Sequence, residues 1–166
     1  MRRGILIGIL VLTFGAAIAA AVMLWRGRAG EPITVAVLHT ATGANAVIEV
    51  PIVAACRQAV REINAAGGVL GRPLRLEVRD CGTEAGGFAR AAAELLRDPS
   101  VAVLIGGGRS AARRSMLEVL EREGGLLLYP LSFEGLENSP NVVYLGLTPA
   151  LQIGSAVDWA LARRQA

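Results

Sequence analysis

The sequence predicts an α/β fold: a doubly wound parallel sheet of about five strands, with helices on both faces and one apolar helix in front of it. Short apolar runs rich in β-branched residues alternate along the chain with longer segments whose apolar residues recur every three to four positions. Glycine or proline ends most of these segments. Strands and helices that alternate in this way form a parallel sheet with right-handed crossovers.

The first element is an uncharged apolar segment from Gly4 to Trp25. As a helix it would be about 33 Å long, enough to cross the hydrocarbon core of a bilayer. Small residues before its end leave cleavage as a signal peptide open. Its length, and Trp25 followed by Arg26 and Arg28, favour a retained transmembrane anchor. Residues 1–29 are therefore assigned to an anchor or signal.

The next segments predict a strand, a helix, a second strand and a second helix. Ile33 to Leu38 is an apolar run that leads into a loop from His39 to about Ala46. Pro51 to Ala66 has helical periodicity, with proline in its first turn and two glycines as its stop. The alternation from Leu74 to Val78 indicates a strand near a sheet edge. The helix after Thr83 is expected to bury Phe88, Ala92, Leu95 and Leu96.

The remaining segments continue the alternation. Val101 to Ile105 is apolar throughout, as expected of a central strand covered on both faces. Ser110 is a good N-cap for a helix from about Ala111 to Glu123. Two short strands and a final helix complete the fold, and these elements are expected at Leu126 to Tyr129, at Val142 to Leu145 and from Thr148-Pro149 onward.

In a doubly wound fold, ligands lie beyond the carboxyl ends of the strands at the point where the strand order reverses. The loop from Gly106 to Ser110 is the candidate site, because glycines let a ligand approach the backbone and a helix start offers free N–H groups. Such a site suits an anion or a carbonyl oxygen. Tight packing between strand and helix would also explain these glycines. The loops from His39, Asp80 and Tyr129 share this edge of the sheet.

Charge and composition exclude several functions. The chain has 17 Arg and Lys residues against 14 acidic ones, but the arginines beside the apolar segment account for the excess and the rest is near neutral. No basic stripe with interleaved aromatics indicates nucleic-acid binding. The sequence contains no lysine, which removes Schiff-base chemistry and the P-loop lysine.

Catalysis and metal binding have little support in the sequence. The single histidine, His39, is expected on the exit loop of the first strand as a surface-loop or hinge-side residue, and no G-x-S-x-G elbow accompanies it. The acidic residues Glu134 and Glu137 are expected to be solvated. Cys56 and Cys81 are too few for a structural zinc site and either form a disulfide or remain separate thiols. We therefore expect no enzymatic activity, no cofactor and no metal.

Four segments carry a family resemblance: ITVAVLHTATG, REINAAGGVLGRPL, VAVLIGGGRSAARR and LLLYPLSFEGLENSPNVVY. The second is shared across a broad superfamily. The last contains a YP-x-x-[YF]-EG-x-E-x-SPN pattern, from Tyr129 to Asn141, that is more selective. From Ile33 to Trp159 the chain thereby resembles the type 1 periplasmic binding proteins, and within them the branch that binds urea and short aliphatic amides.

The resemblance implies that Ser110 contacts the bound amide and that the loop from Tyr129 to Leu131 helps to form the pocket wall. Gly108 and Arg109 stand where the branch usually has an aromatic residue and a threonine. Since a guanidinium binds oxyanions in a fork, Arg109 keeps a carboxylate solute such as an amino acid open. The expected ligand-binding residues are Gly108, Arg109, Ser110, Tyr129, Leu131 and Glu134.

The resemblance also implies a role and an organisation. The chain would be the solute-binding component of an ABC-type uptake system, anchored or secreted on the periplasmic side of the inner membrane, with a permease or receptor as partner. Residues 30–147 would form the first of two lobes, and residues 148–166 the crossover and first helix of a second, missing lobe. One lobe leaves the solute in water, so weak or no affinity is expected.

The last helix suggests an alternative function. Its apolar face, formed by Ile153, Val157 and Leu161, would have to fold back, bind a partner chain or stay exposed. A membrane-tethered sensory or interaction module of the same fold is the alternative to a transport component.

Overall fold

Five parallel strands form one sheet in the computed structural model, which describes residues 30–164. The order of the strands is β2-β1-β3-β4-β5. This confirms the predicted parallel sheet and the edge position of β2. The strands are β1 (Ile33–His39), β2 (Leu74–Asp80), β3 (Val101–Gly106), β4 (Leu127–Tyr129) and β5 (Val142–Tyr144).

Among the described residues, four α-helices accompany the sheet, and a short π-helical segment at Ala150–Gly154 leads into the last of them. The helices are α1 (Ala46–Ala65), α2 (Ala85–Leu95), α3 (Ser110–Glu123) and α4 (Ser155–Arg164). Between residues 30 and 164, no helix combines the length and the apolar character that a membrane span needs. The predicted anchor at residues 4–25 lies outside the described residues.

The hydrophobic core lies on the face of the sheet that α2 and α3 cover. Leu104 of β3 and Met116 of α3 are completely buried there, and Phe88 of α2 is 2% exposed. Burying side chains of this size contributes about 1.5–3 kcal/mol each. The core also contains Ala36, Leu38, Ala91, Ala92, Leu95, Leu120, Leu127, Tyr129 and Val142.

The opposite face is covered only in part by the described residues. Helix α1 packs on β1 and β2, where Val35, Val37 and Val53 are buried. Val103 and Ile105 of β3 point to this face and are only half-buried. Helix α1 covers the edge of the sheet that β2 and β1 form, and it leaves this face of β3 to β5 uncovered. The expectation that β3 is covered on both faces is therefore wrong for residues 30–164.

Helix α1 begins about one turn earlier than predicted. The carbonyl of Asn45 accepts hydrogen bonds from the N–H groups of Ile48 and Glu49, at 3.0 and 3.1 Å. The helix thus contains Pro51 in its interior, although proline lacks the N–H that the carbonyl of Val47 would accept in a regular helix. As a result Glu49 lies in the first helical turn instead of the preceding loop.

The two cysteines are separate thiols in this structure. Cys81 is buried, and burial raises its pKa to about 12, so that it carries a proton at neutral pH. Of the two alternatives that the sequence left open, the structure has the unbridged one.

The terminal helix presents apolar side chains to solvent. Ile153, Val157 and Leu161 are 61%, 47% and 55% exposed, and no residue of α4 is buried. Of the three predicted fates for this face, exposure is the one observed within residues 30–164.

Candidate functional site

The strand order reverses between β1 and β3, because the chain passes from β1 outward to β2 and then returns to the other side for β3, β4 and β5. The carboxyl ends of β1 and β3 meet there. Two small clefts open at this point, which is where a doubly wound sheet binds its ligand. We call them the first cleft, which encloses about 10 Å³, and the second cleft, which encloses about 20 Å³.

The first cleft lies directly over the ends of β1 and β3. Its polar lining consists of His39 and Glu49, and its apolar lining includes Ile52 and Leu131. The second cleft lies between α1 and the starts of α2 and α3. Its polar lining consists of Thr40, Asn45, Glu49, Thr83 and Arg109.

Glu49 is the side chain that both clefts share. It is 4% exposed, and its Oε2 accepts a hydrogen bond from the backbone N–H of Thr40 at 2.6 Å. The Thr40 hydroxyl in turn donates to the carbonyl of Gly82 at 2.8 Å. The loops that follow β1 and β2 are thereby joined beneath the carboxylate. Glu49 was not among the residues expected at the site, because the predicted helix began only at Pro51.

His39 was predicted in the loop after the first strand, and the structure places it one position earlier, at the end of that strand. It is the last residue of β1 and is half-buried in the lining of the first cleft. Its Nδ1 is buried and has no hydrogen-bond partner within residues 30–164. A buried imidazole nitrogen without a partner is unusual, since the large majority of buried polar atoms are paired.

The glycine loop after β3 has a structural role as well as a place at the first cleft. Gly106 and Gly108 have φ angles of +108° and +59°. A β-carbon on Gly106 would lie 2.2 Å from the carbonyl oxygen of Leu38, and one on Gly108 would lie 2.8 Å from the Phe88 ring. Packing therefore requires both glycines, and both also line the first cleft.

The start of α3 differs from the prediction. Arg109, with extended backbone, is the N-cap, and no side chain caps this helix end. The prediction of Ser110 as N-cap is therefore wrong by one residue. Ser110, followed by Arg113, instead stabilises the carboxylate of Glu134 and lowers its pKa to about 2.

The six predicted ligand-binding residues divide among several places. Gly108 and Leu131 line the first cleft, and Arg109 is exposed at the second. Glu134 lines a separate open hollow beside Pro149. Tyr129 is 1% exposed and lies beneath the loop, where its hydroxyl donates to the carbonyl of Gly108 at 3.1 Å.

A buried ion-pair cluster supports the loop between β4 and β5. The side chain of Arg113 is completely buried; its Nε donates to Glu137 Oε1 at 2.6 Å, and its Nη2 donates to Glu134 Oε2 at 3.0 Å. The guanidinium lies over the ring of Tyr129, 4.6 Å from its centroid. Tyr144 also donates to Glu137, at 2.9 Å. The expectation that Glu137 is solvated is wrong, since its side chain is 14% exposed.

The charges of this cluster stabilise one another. Burial by itself lowers the pKa of Arg113, but hydrogen bonds to Glu137 and Glu134 raise it well above its ordinary value. The same contact with Arg113 lowers the pKa of Glu137. The sequence analysis did not identify Arg113. Its partners lie more than 20 residues away in the chain.

Solved structures of transport proteins share this fold. The structure resembles the branched-chain amino acid transporter substrate-binding protein LivJ of Streptococcus pneumoniae in complex with isoleucine (TM-score 0.67, 21% identity, 72% of this chain and 35% of that one). It also resembles a fatty acid ABC transporter substrate-binding protein of Thermomonospora curvata (TM-score 0.69, 21% identity, 82% and 34%).

A third similar structure is that of a putative branched-chain amino acid ABC transporter of Rhodospirillum rubrum, with a TM-score of 0.68, 25% identity and coverage of 80% of this chain and 39% of that one. The chain thus spans little more than a third of each of these proteins. The family model described as "Periplasmic binding protein domain" matches residues 33–165. This family consists of binding proteins and not of enzymes, and the chain belongs to it.

Proposed function

We propose that this chain binds a small polar solute as one lobe of a component of an ABC-type uptake system, and that the solute is urea or a short-chain amide. The observation that carries the proposal is the first cleft at the switch point. It combines polar groups on His39 and Glu49 with the apolar side chains of Ile52 and Leu131. The space it encloses, about 10 Å³, is that of about one water molecule, which favours a solute that inserts one small polar group.

A branched-chain amino acid is the second candidate solute. Arg109 and Glu49 both line the second cleft, and they offer a cation and an anion to the carboxylate and ammonium groups of an amino acid. Two of the similar structures carry names that refer to branched-chain amino acids, and one of these contains isoleucine.

The proposed location is the periplasmic side of the inner membrane, with residues 4–25 as the anchor and a permease or receptor as partner. Membership in the periplasmic binding protein family supports an extracytoplasmic location. If residues 30–164 act as a lobe by themselves, a bound solute remains in contact with water, and the affinity expected of them is millimolar or weaker.

Nuclear magnetic resonance titration of the full chain tests this function, because it detects weak binding. Acetamide, formamide, urea, leucine and isoleucine would each be added to the ¹⁵N-labelled protein. We expect saturable shifts confined to the amides around Gly106, Gly108 and Leu131 with one class of solute. The absence of shifts with all five solutes, or shifts elsewhere only, would refute the proposal.

The exposed terminal helix favours a second function, that of a tethered interaction module. Trp159 is 60% exposed on this helix, beside Val157 and Leu161. Trp25 is the other tryptophan of the chain, so Trp25→Phe leaves the fluorescence of Trp159 as the signal. A co-purifying chain that shields this fluorescence from quenching by acrylamide would support the second function. A monodisperse monomer with a fully quenched Trp159 would count against it.

A further inference from the structure

We infer that the carboxylate of Glu49, buried at the switch point and shared by both clefts, receives the N–H group of the solute, with His39 Nδ1 as a second acceptor beside it. This inference rests on the proposed function. It identifies the part of the solute that this lobe recognises, a primary amide or ammonium group.

The described surroundings of Glu49 provide one hydrogen bond and no ion pair. Within residues 30–164, no arginine forms a salt bridge with it, whereas Glu134 and Glu137 share Arg113 and Arg114. A carboxylate has room for about four hydrogen bonds, and the one described here comes from the backbone of Thr40. Since a buried charge is costly unless it is paired, a donor from outside the described residues would complete the site.

His39 points to the same conclusion independently. Its Nδ1 is buried, has no partner among the described residues and belongs to a side chain that lines the first cleft with Glu49. With the ring proton on Nε2, Nδ1 accepts a hydrogen bond. An NH₂ or ammonium group has at least two N–H bonds and therefore carries one donor for each of these acceptors.

The rest of the first cleft is largely apolar. Leu131 and Ile52 provide apolar surface, while Gly106 and Gly108 line the cleft where β3 ends. The cleft therefore suits an NH₂ or ammonium group attached to a short aliphatic part. Acetamide and leucine both have this chemistry and serve as the two probes.

The only histidine of the chain provides a specific signal. The untagged full chain, labelled with ¹⁵N in histidine, would be titrated with acetamide, with leucine and with N,N-dimethylacetamide, which has no N–H donor. We expect acetamide or leucine to shift the Nδ1 resonance of His39 and dimethylacetamide to leave it unchanged. A shift with acetamide identifies an amide as the source of the N–H group, and a shift with leucine alone identifies an ammonium.

Two substitutions on the same helix separate recognition from structure. Glu49→Gln keeps an oxygen that can accept from Thr40 but removes the charge, and Glu62→Gln changes an exposed residue that accepts from Gln58. Because hydrogen bonds to charged groups are the stronger ones, we expect the Kd of Glu49→Gln to rise by about tenfold or more and that of Glu62→Gln to stay unchanged. Equal thermal midpoints would confirm that both variants fold.

The outcomes distinguish two kinds of failure. If the unsubstituted chain responds to none of the probes, the proposed function fails and the role of Glu49 fails with it. If the chain binds acetamide or leucine and Glu49→Gln binds within about twofold of it, only the role of Glu49 is refuted. A response to dimethylacetamide equal to that for acetamide would also refute it, since no N–H group would then be needed.

Discussion

Replacement of Arg113 by methionine tests whether the buried ion-pair cluster stabilises the loop between β4 and β5. Methionine keeps much of the apolar stem but removes the three hydrogen bonds that Arg113 donates to Glu137 and Glu134, at 2.6, 3.0 and 3.0 Å. It also removes the cation from the face of the Tyr129 ring, 4.6 Å away.

The expected loss follows from burial. Removing one partner of a buried ion pair costs about 3–5 kcal/mol, because the other charge is left without compensation. The Glu137 side chain is 14% exposed, so water reaches it in part, and we place the loss for Arg113→Met near the lower end, at about 3 kcal/mol. Urea denaturation followed by circular dichroism measures this loss, with an unchanged m-value as the sign that the unfolded state is unaffected.

Arg114→Met is the matched control. Arg114 is the next residue of α3 and contacts the same two carboxylates, at 3.3 Å from Glu137 and 3.6 Å from Glu134, but its side chain is 52% exposed. Exposed ion pairs contribute about 0–1 kcal/mol, and we expect a loss in that range. If Arg113→Met destabilises the protein by less than about 1 kcal/mol, or by no more than Arg114→Met, the structural role given to the buried cluster is wrong.

Two further predictions concern stability. The contact with Arg113 holds the pKa of Glu137 below its ordinary value of 4.5, so the unfolded state binds this proton first as the pH falls, and the free energy of unfolding should decrease below about pH 4.5. Glu137→Gln should flatten that decrease in urea denaturation series, and an unchanged slope would contradict the coupling. Gly106→Ala should destabilise the fold by at least about 3 kcal/mol and Gly124→Ala by about 1–2 kcal/mol. Both residues have positive φ, but only at Gly106 does the added β-carbon meet backbone, and equal losses in denaturation would contradict this.

The sequence was sufficient for those parts of the fold that depend on local periodicity. The alternation from Leu74 to Val78 correctly indicated an edge strand, because β2 has a neighbour on one side only. The start of α1 was misplaced because proline is common in the first helical turn, and this rule was applied to Pro51. The uncovered face of β3 to β5 was not predictable from Val101 to Ile105, since an apolar run does not specify which element covers it.

The candidate site was harder to predict because it depends on contacts between distant residues. Gly108 and Leu131 were expected at the site from their positions after β3 and β4, and both line the first cleft. Glu49 was missed although a signal existed. It stands at helical spacing before Ile52, Val53 and Cys56, so that extending the buried stripe by one turn places a carboxylate on the inner face of α1.

Glu49 and Arg113 show why burial of a charge does not by itself identify a binding residue. Both residues are buried: Glu49 is 4% exposed and Arg113 is 0% exposed. Arg113 has two carboxylate partners and an aromatic ring against its guanidinium, and it borders neither cleft. Its charge is compensated within the fold, so its removal should change stability first. Glu49 has a backbone N–H as its described partner and borders both clefts, so its removal should change solute affinity first.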